Sequence, residues 1–158
     1  MPNDSDHATM LAALNEGFRS AVPHNAALGF EIVEFSVGDG TVTARVPYDA
    51  RWVGHPDTGV LHGGVVTSLV DATCGASVIV RLQSPMPIAT LDLRIDYLRP
   101  ATPQQPLYTR AECYKITRHV AFVRAVAYQS DLGDPVATSM STFMLHTRGR
   151  AVGRQGRT

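Results

Sequence analysis

Cysteine is scarce in this chain: Cys74 and Cys113 stand far apart among 158 residues, with no CxxC pairing. The opening residues, MPNDSDHATM, lack the basic and apolar parts of a signal peptide. The two features together point to a reduced, cytoplasmic setting. Net charge is missing as well, with 14 Lys+Arg against 14 Asp+Glu, and a dedicated nucleic-acid binder normally shows a strong basic excess. No serine stands in a nucleophile elbow, there is no phosphate-binding glycine loop, and no segment repeats. His24, His119 and His146 lack metal-ligand spacing and read as structural or surface residues. Long apolar runs are limited to residues 63–80, near the lower limit for a membrane span. Asp71 interrupts that run, and Gly, Ser, Thr and Ala dilute it, so a buried helix is the better reading.

What remains is an ordinary globular composition, 44% hydrophobic and 18% charged, at a length suited to one domain with one core. The charge is unevenly placed. Residues 1–80 hold nine acids against Arg19, Arg45 and Arg51, a net −6 that the rest of the chain balances. All cations but Lys115 are arginine, whose fork suits phosphate, although a bias in composition explains this equally well. The last twelve residues, 147–158, carry four arginines, three glycines and no acid. They read as a disordered tail, with anion binding as the alternative.

Residues 8–22 place Met10, Leu11, Leu14, Phe18 and Val22 at helical spacings, a short lead helix ended by Pro23. Phe30, Ile32, Phe35 and Val37 then predict a strand with a bulge, Gly38-Asp39-Gly40 a turn, and Thr41 to Pro47 the second strand of a hairpin. After a turn-rich loop over 48–59, the segment from Gly63 to about Leu82 follows helical spacing with apolar or small residues nearly all round, so a sheet has to wrap it. Four strands follow, at about 88–98, 106–117, 119–130 and 135–146, with Asp131 to Asp134 as a hairpin turn. Strands joined by short turns favour an antiparallel α+β arrangement with the long helix against one face.

Asp71 is the only charge between Asp57 and Arg81 and lies within the most apolar helix. Burying a lone carboxylate costs several kcal/mol. It is therefore either an Asp bonded to a nearby Ser or Thr for fold specificity, or a general base or nucleophile kept basic by desolvation. His62-Gly63-Gly64 opens the same helix, where free N–H groups and the positive dipole end can hold a developing negative oxygen.

The string Gly59-Val60-Leu61-His62-Gly63-Gly64-Val65-Val66-Thr67-Ser68-Leu69-Val70-Asp71, with Ala72 to Gly75 after it, resembles the hotdog-fold acyl-CoA thioesterases. The likeness is greatest to the PaaI-like group related to phenylacetate-pathway and 4-hydroxybenzoyl-CoA thioesterases. Leu91 to Pro100 and Arg118 to Val123 extend it over about residues 25–146, leaving 1–24 as a helical lead and 147–158 as the tail. The resemblance implies a long helix wrapped by an antiparallel sheet, a homodimer or dimer of dimers, and hydrolysis of an aromatic or medium-chain acyl-CoA with no metal or organic cofactor. Carried over, Asp71 is the base or nucleophile, the Gly63 N–H polarises the carbonyl, and His62 and Gly64 help to hold it. Thr90 orients the attacking water. Where relatives commonly carry Asn or Gln in the loop, this chain has His55-Pro56, so His55 is the candidate substitute. Arg99, Arg118 and Arg124 are candidates for the CoA phosphates, with surface salt bridges as the other reading.

Nine helical steps put Asp71 about 180° around from His62 and about 13.5 Å along the axis, so both can serve one carbonyl only if two copies share each site. Two rivals stay open: a non-catalytic acyl-CoA-binding hotdog module, which the missing loop amide favours, and a hotdog acyl-thioester hydratase or dehydratase.

Overall fold

The computed structural model describes residues 4–147, so from residue 148 onward the expected tail lies outside the described residues. The elements are α1 (Asp4–Ser20), α2 (Pro23–Leu28), β1 (Glu31–Ser36), β2 (Thr41–Val46), a 3₁₀ turn (Ala50–Trp52), α3 (Gly63–Leu82), β3 (Ile88–Tyr97), β4 (Leu107–Ile116), β5 (Val120–Tyr128) and β6 (Ala137–Leu145). The six strands form one antiparallel sheet in the order β1-β2-β4-β5-β6-β3. The expected strands and long helix are present to within a residue or two.

The lead departs from expectation. Pro23 does not simply end a helix over 8–22: α1 stops at Ser20, and Pro23 opens the six-residue α2 in its first turn. Proline is well placed there, because its φ is already helical and its missing N–H would have no partner. Gly29 then closes α2 in the left-handed region at φ 69°, and the chain enters β1. The expected domain boundary between residues 24 and 25 therefore falls inside α2, while Leu11, Leu14 and Phe18 of α1 pack against the core.

Helix α3 touches all six strands. Its buried side is rich in valine, and the facing strands answer with Ala44, Ala111, Ala121, Ala125 and Ala127, all buried. Small side chains on the strands let a helix of branched residues seat closely, as dense interior packing requires. β1 contains the anticipated bulge, between Ile32 and Glu34, which explains why its buried side chains, Ile32 and Phe35, break strict alternation. β1 is also an edge strand, and Asn15 of α1 pairs with it. The Asn15 amide donates to the Ile32 carbonyl at 2.8 Å and its oxygen accepts from the Ile32 N–H at 2.7 Å, replacing the neighbour a central strand would have.

Cys74 and Cys113 are both free and buried, as expected of small apolar residues. Burial pushes the Cys74 thiol up to about 12 and the Cys113 thiol to about 11, from an ordinary 9.0. Both thiols hold their protons more tightly folded than unfolded. Their contribution to stability is therefore complete below pH 9 and is lost as pH rises toward 11 to 12. At pH 8 neither thiol should react with an aromatic disulfide reagent until the protein is unfolded in urea, and urea midpoints should fall steadily above pH 9. Rapid labelling of the native protein would contradict this burial.

Candidate active site

The long edge strand β3 runs beside α3 and fastens to it at two polar points. Near its start, the Thr90 hydroxyl donates to Asp71 Oδ1 at 2.8 Å. At its end, the Tyr97 hydroxyl donates to the Gly63 carbonyl at 2.9 Å and lies 2.8 Å from Thr67 Oγ1. Residues an odd number apart on a regular strand face opposite sides, so Thr90 and Tyr97 could not both reach one helix. A bulge resolves this. The pairing of β3 with β6 slips between Thr90 and Asp92, so Thr90 lies opposite Phe143 and Tyr97 opposite Ala137, both of which face the core. The extra residue, Leu91, is left half-exposed, and its insertion aims the Thr90 hydroxyl at the carboxylate.

Of the two readings of Asp71, the bond to a nearby hydroxyl is present, to Thr90, while the carboxylate is not sealed in apolar surroundings but partly exposed along an uncovered strip of α3. Between Gly64 and Val80 the residues that are not buried, Gly64, Ser68, Asp71, Ala72 and Ile79, fall within one ~100° sector of the helix, with Thr67 at its margin. Two clefts lie along this strip. One, of about 310 Å³, has Asp71 and Thr90 in its wall together with Phe18, Ala72, Gly75 and Ile88. The other, of about 380 Å³, lies at the start of the helix against Trp52, His62, Gly64 and Val65.

His62 caps α3. Its Nδ1 accepts from the Gly64 N–H at 2.9 Å, so in this arrangement the ring is neutral and carries its proton on Nε2, free to donate elsewhere. The Gly63 N–H, first in the helix, has no acceptor among the described residues and lies at the positive end of the dipole. A Cβ on Gly64 would sit 2.9 Å from His62 Nδ1, so the folded-back ring needs glycine there. This fold-back also revises the angular argument. Because His62 lies outside the helix and its ring turns over Gly64, it occupies the same side of α3 as Asp71. Gly64 and Asp71 are seven residues apart, so the separation is about 10 Å along the axis and not half a turn around it. One carbonyl still cannot span it.

Thr90 spends its proton on Asp71 and retains lone pairs with which it can accept from a water. His55 sits in an exposed turn, where its carbonyl accepts from the Thr58 and Gly59 N–H groups, and it contributes to neither cleft. Arg99 is tied to Asp134 at 3.0 Å, and Arg124 to Glu112 at 2.9 Å. Arg118, in the exposed β4–β5 turn, has no such partner among the described residues. Three site neighbours were not anticipated: Tyr97, Ser68 and His24, whose Nε2 lies 2.9 Å from Ser68 Oγ. Ser68 is legible afterwards, four residues beyond Gly64 and three before Asp71; no spacing in the sequence links it to His24.

A six-stranded antiparallel sheet wrapped on one long helix, with a capped glycine pair at the helix start and a carboxylate two turns along, defines a hotdog-fold protein. A model of the thioesterase superfamily matches residues 58–136, and the chain belongs to that superfamily. A Pseudomonas aeruginosa protein of known crystal structure is 41% identical, with a TM-score of 0.75, covering 85% of this chain and 97% of its own. The phenylacetic acid degradation protein PaaI of Thermus thermophilus, 24% identical with a TM-score of 0.67 over 78% of this chain and 98% of its own, shares the fold. A putative esterase of Halobacterium salinarum is 38% identical over 77 residues, 47% of this chain, and the match spans half (50%) of that relative's length.

The cap should be measurable as a unit. His62→Ala should lower unfolding free energy by about 1 kcal/mol in urea titrations, the usual cost of losing an N-cap bond, whereas Gly64→Ala should change it less, because a helix-propensity gain of about 1 kcal/mol offsets displacement of the ring. The double variant should be more stable than His62→Ala alone, because without the ring the added Cβ meets nothing and only the gain in helix propensity remains. Full additivity would mean that the two residues stabilise the helix separately.

Proposed function

We propose that this protein hydrolyses the thioester of an acyl-CoA carrying an aromatic or medium-chain acyl group, releasing free acid and CoA. The observation that carries the reading is the hydroxyl-held carboxylate in an otherwise largely apolar cleft, Asp71 Oδ1 at 2.8 Å from Thr90 Oγ1. A bond made for fold specificity alone would not need the carboxylate to open into a cleft, as that of Asp71 does. With Oδ1 held by Thr90, Oδ2 is left to act on the reacting carbon. It either takes a proton from a water that attacks the carbonyl or attacks directly to form an anhydride that water then cleaves. In both routes the C–S bond breaks, the thiolate leaves as CoA, and the oxygen gained by the acid comes from water. The Gly63 N–H and the Nε2–H of His62 are donors suited to the carbonyl oxygen as it gains charge, and no cofactor is needed.

The axial gap between Gly63 and Asp71 supports a homodimer, or a dimer of dimers, in which Asp71 of one copy works with Gly63 of the other. The open edge of β3, with Leu91, Tyr97 and Leu98 all more than half exposed beside the uncovered helix strip, suits such a partner. Of the three arginines considered for the CoA phosphates, Arg118 is available, while Arg99 and Arg124 would first have to release their carboxylates. A cytoplasmic location, where CoA thioesters are made and used, fits this reading.

A panel of acyl-CoA esters assayed by thiol release tests the proposal. Asp71→Asn, nearly isosteric, should lower turnover by about 10² to 10⁴ without unfolding the protein, as expected of a lost general base. Thr90→Val should lose more activity than Thr90→Ser. Hydrolysis unchanged in folded Asp71→Asn would sink the assignment.

Site sharing can be tested by complementation. Asp71→Asn and His62→Ala chains, each nearly inactive, should recover about a quarter of wild-type activity when unfolded and refolded together, since half the dimers are mixed and half of their sites are intact. Proven mixed dimers without recovery would rule out a site built from two chains.

A further inference from the structure

The reaction proposed above uses Asp71, Thr90, His62 and Gly63 and leaves one polar pair without a task. His24 Nε2 lies 2.9 Å from Ser68 Oγ, on the uncovered strip of α3. Among the described residues, these two are the only ones that line both clefts, the one holding Asp71 and the one at His62 and Gly64. They stand where the two spaces meet.

On either side of the pair the walls are largely apolar, with Phe18, Ile79 and Ile88 beside Asn25 and Thr90 on the Asp71 side, and Leu28, Trp52 and Val65 beside Arg51 and His62 on the other. Without the pair, one groove would run along α3 from Gly64 to Ile79, about 22 Å at 1.5 Å per residue. With it, the Asp71 side is confined to Ser68 through Ile79, about 16 Å. His24 is exposed and Ser68 half-buried, so the pair stands at the open side of the groove, each member bonded to the other. His24 is also presented rigidly. Pro23 opens α2, the buried Asn25 side chain donates to the Phe18 carbonyl at 3.2 Å, and Leu28 is buried at the far end.

We propose that the His24–Ser68 bridge is a wall across this groove that limits the length of the acyl group admitted beside Asp71, which makes His24 a specificity-determining residue. The proposal rests on the reading of the Asp71 cleft as an acyl site. It commits that cleft to compact acyl groups, with long alkyl chains excluded by the ring of His24 and admitted when the ring is removed.

The test uses the full chain and two non-hydrolysable thioethers, S-hexyl-CoA and S-hexadecyl-CoA, titrated by calorimetry, with hydrolysis of hexanoyl-CoA and hexadecanoyl-CoA followed in parallel. In His24→Ala the affinity for the hexadecyl relative to the hexyl thioether should rise at least about tenfold over wild type, the worth of roughly two further buried methylenes. His24→Phe, which keeps a ring in place, should leave that ratio within about twofold of wild type, and Ser68→Ala should fall between the two. A ratio unmoved in His24→Ala overturns the wall even if hexanoyl-CoA is hydrolysed normally. A ratio that moves as far in His24→Phe as in His24→Ala overturns it too, as does wild-type protein that binds neither thioether. Binding that follows the expected pattern without hydrolysis of either ester would instead remove the proposed reaction and leave the wall standing.

Discussion

Helix α3 carries apolar or small side chains on nearly every side, and everything else in this fold follows from the need to keep water from it. Six antiparallel strands are enough to touch it all round except for one strip. Exposing the rest would forfeit roughly 25 cal/mol for each Å² of apolar surface left in water. The arrangement therefore leaves one strip of α3 open, and the residues there differ in kind from those under the sheet. Gly64, Ser68, Asp71 and Ala72 are small or polar, whereas Val65, Val66, Leu69 and Val70 are sealed.

The edge strand β3 turns that strip into a candidate site. Its bulge at Leu91 shifts the alternation of the strand, so that hydroxyls at both ends, on Thr90 and Tyr97, reach α3. One holds the carboxylate and the other holds the first turn of the helix. The helix start is fixed from the opposite side by the His62 cap, which also dictates which imidazole nitrogen carries the proton. A carboxylate, a free N–H and an imidazole N–H are thus each held by a separate local interaction. Such preorganisation is what electrostatic stabilisation of a developing oxyanion depends on.

The lead segment has more than a packing role. α1 supplies Asn15 to the open edge of β1 and Phe18 to the Asp71 cleft, while α2 carries His24 to Ser68. Residues 4–28 therefore complete both the sheet and the groove. The cleft has no wall on that side until α1 and α2 have packed.

The sequence by itself determined the elements, because their signals are local. The period of α3, the alternation in the strands, the turns at 38–40 and 131–134 and the bulge in β1 all arise from neighbours within a few residues of one another. The capped glycines and Asp71 were legible for the same reason, as residue types that are costly in an apolar helix and so stand out against it. The tertiary structure decided what lies across from what. The bulge in β3 has no signature in the run IATLDLRIDY, since shifting the register there is settled by pairing with β6. The union of His24 with Ser68, 44 residues apart, depends on where α2 docks, and Pro23 became the start of a helix because the chain had to turn there toward β1. The fold-back of His62 moved it from the far side of α3 to the side of Asp71, because a capping residue lies outside the helical rotation that sequence spacing assumes.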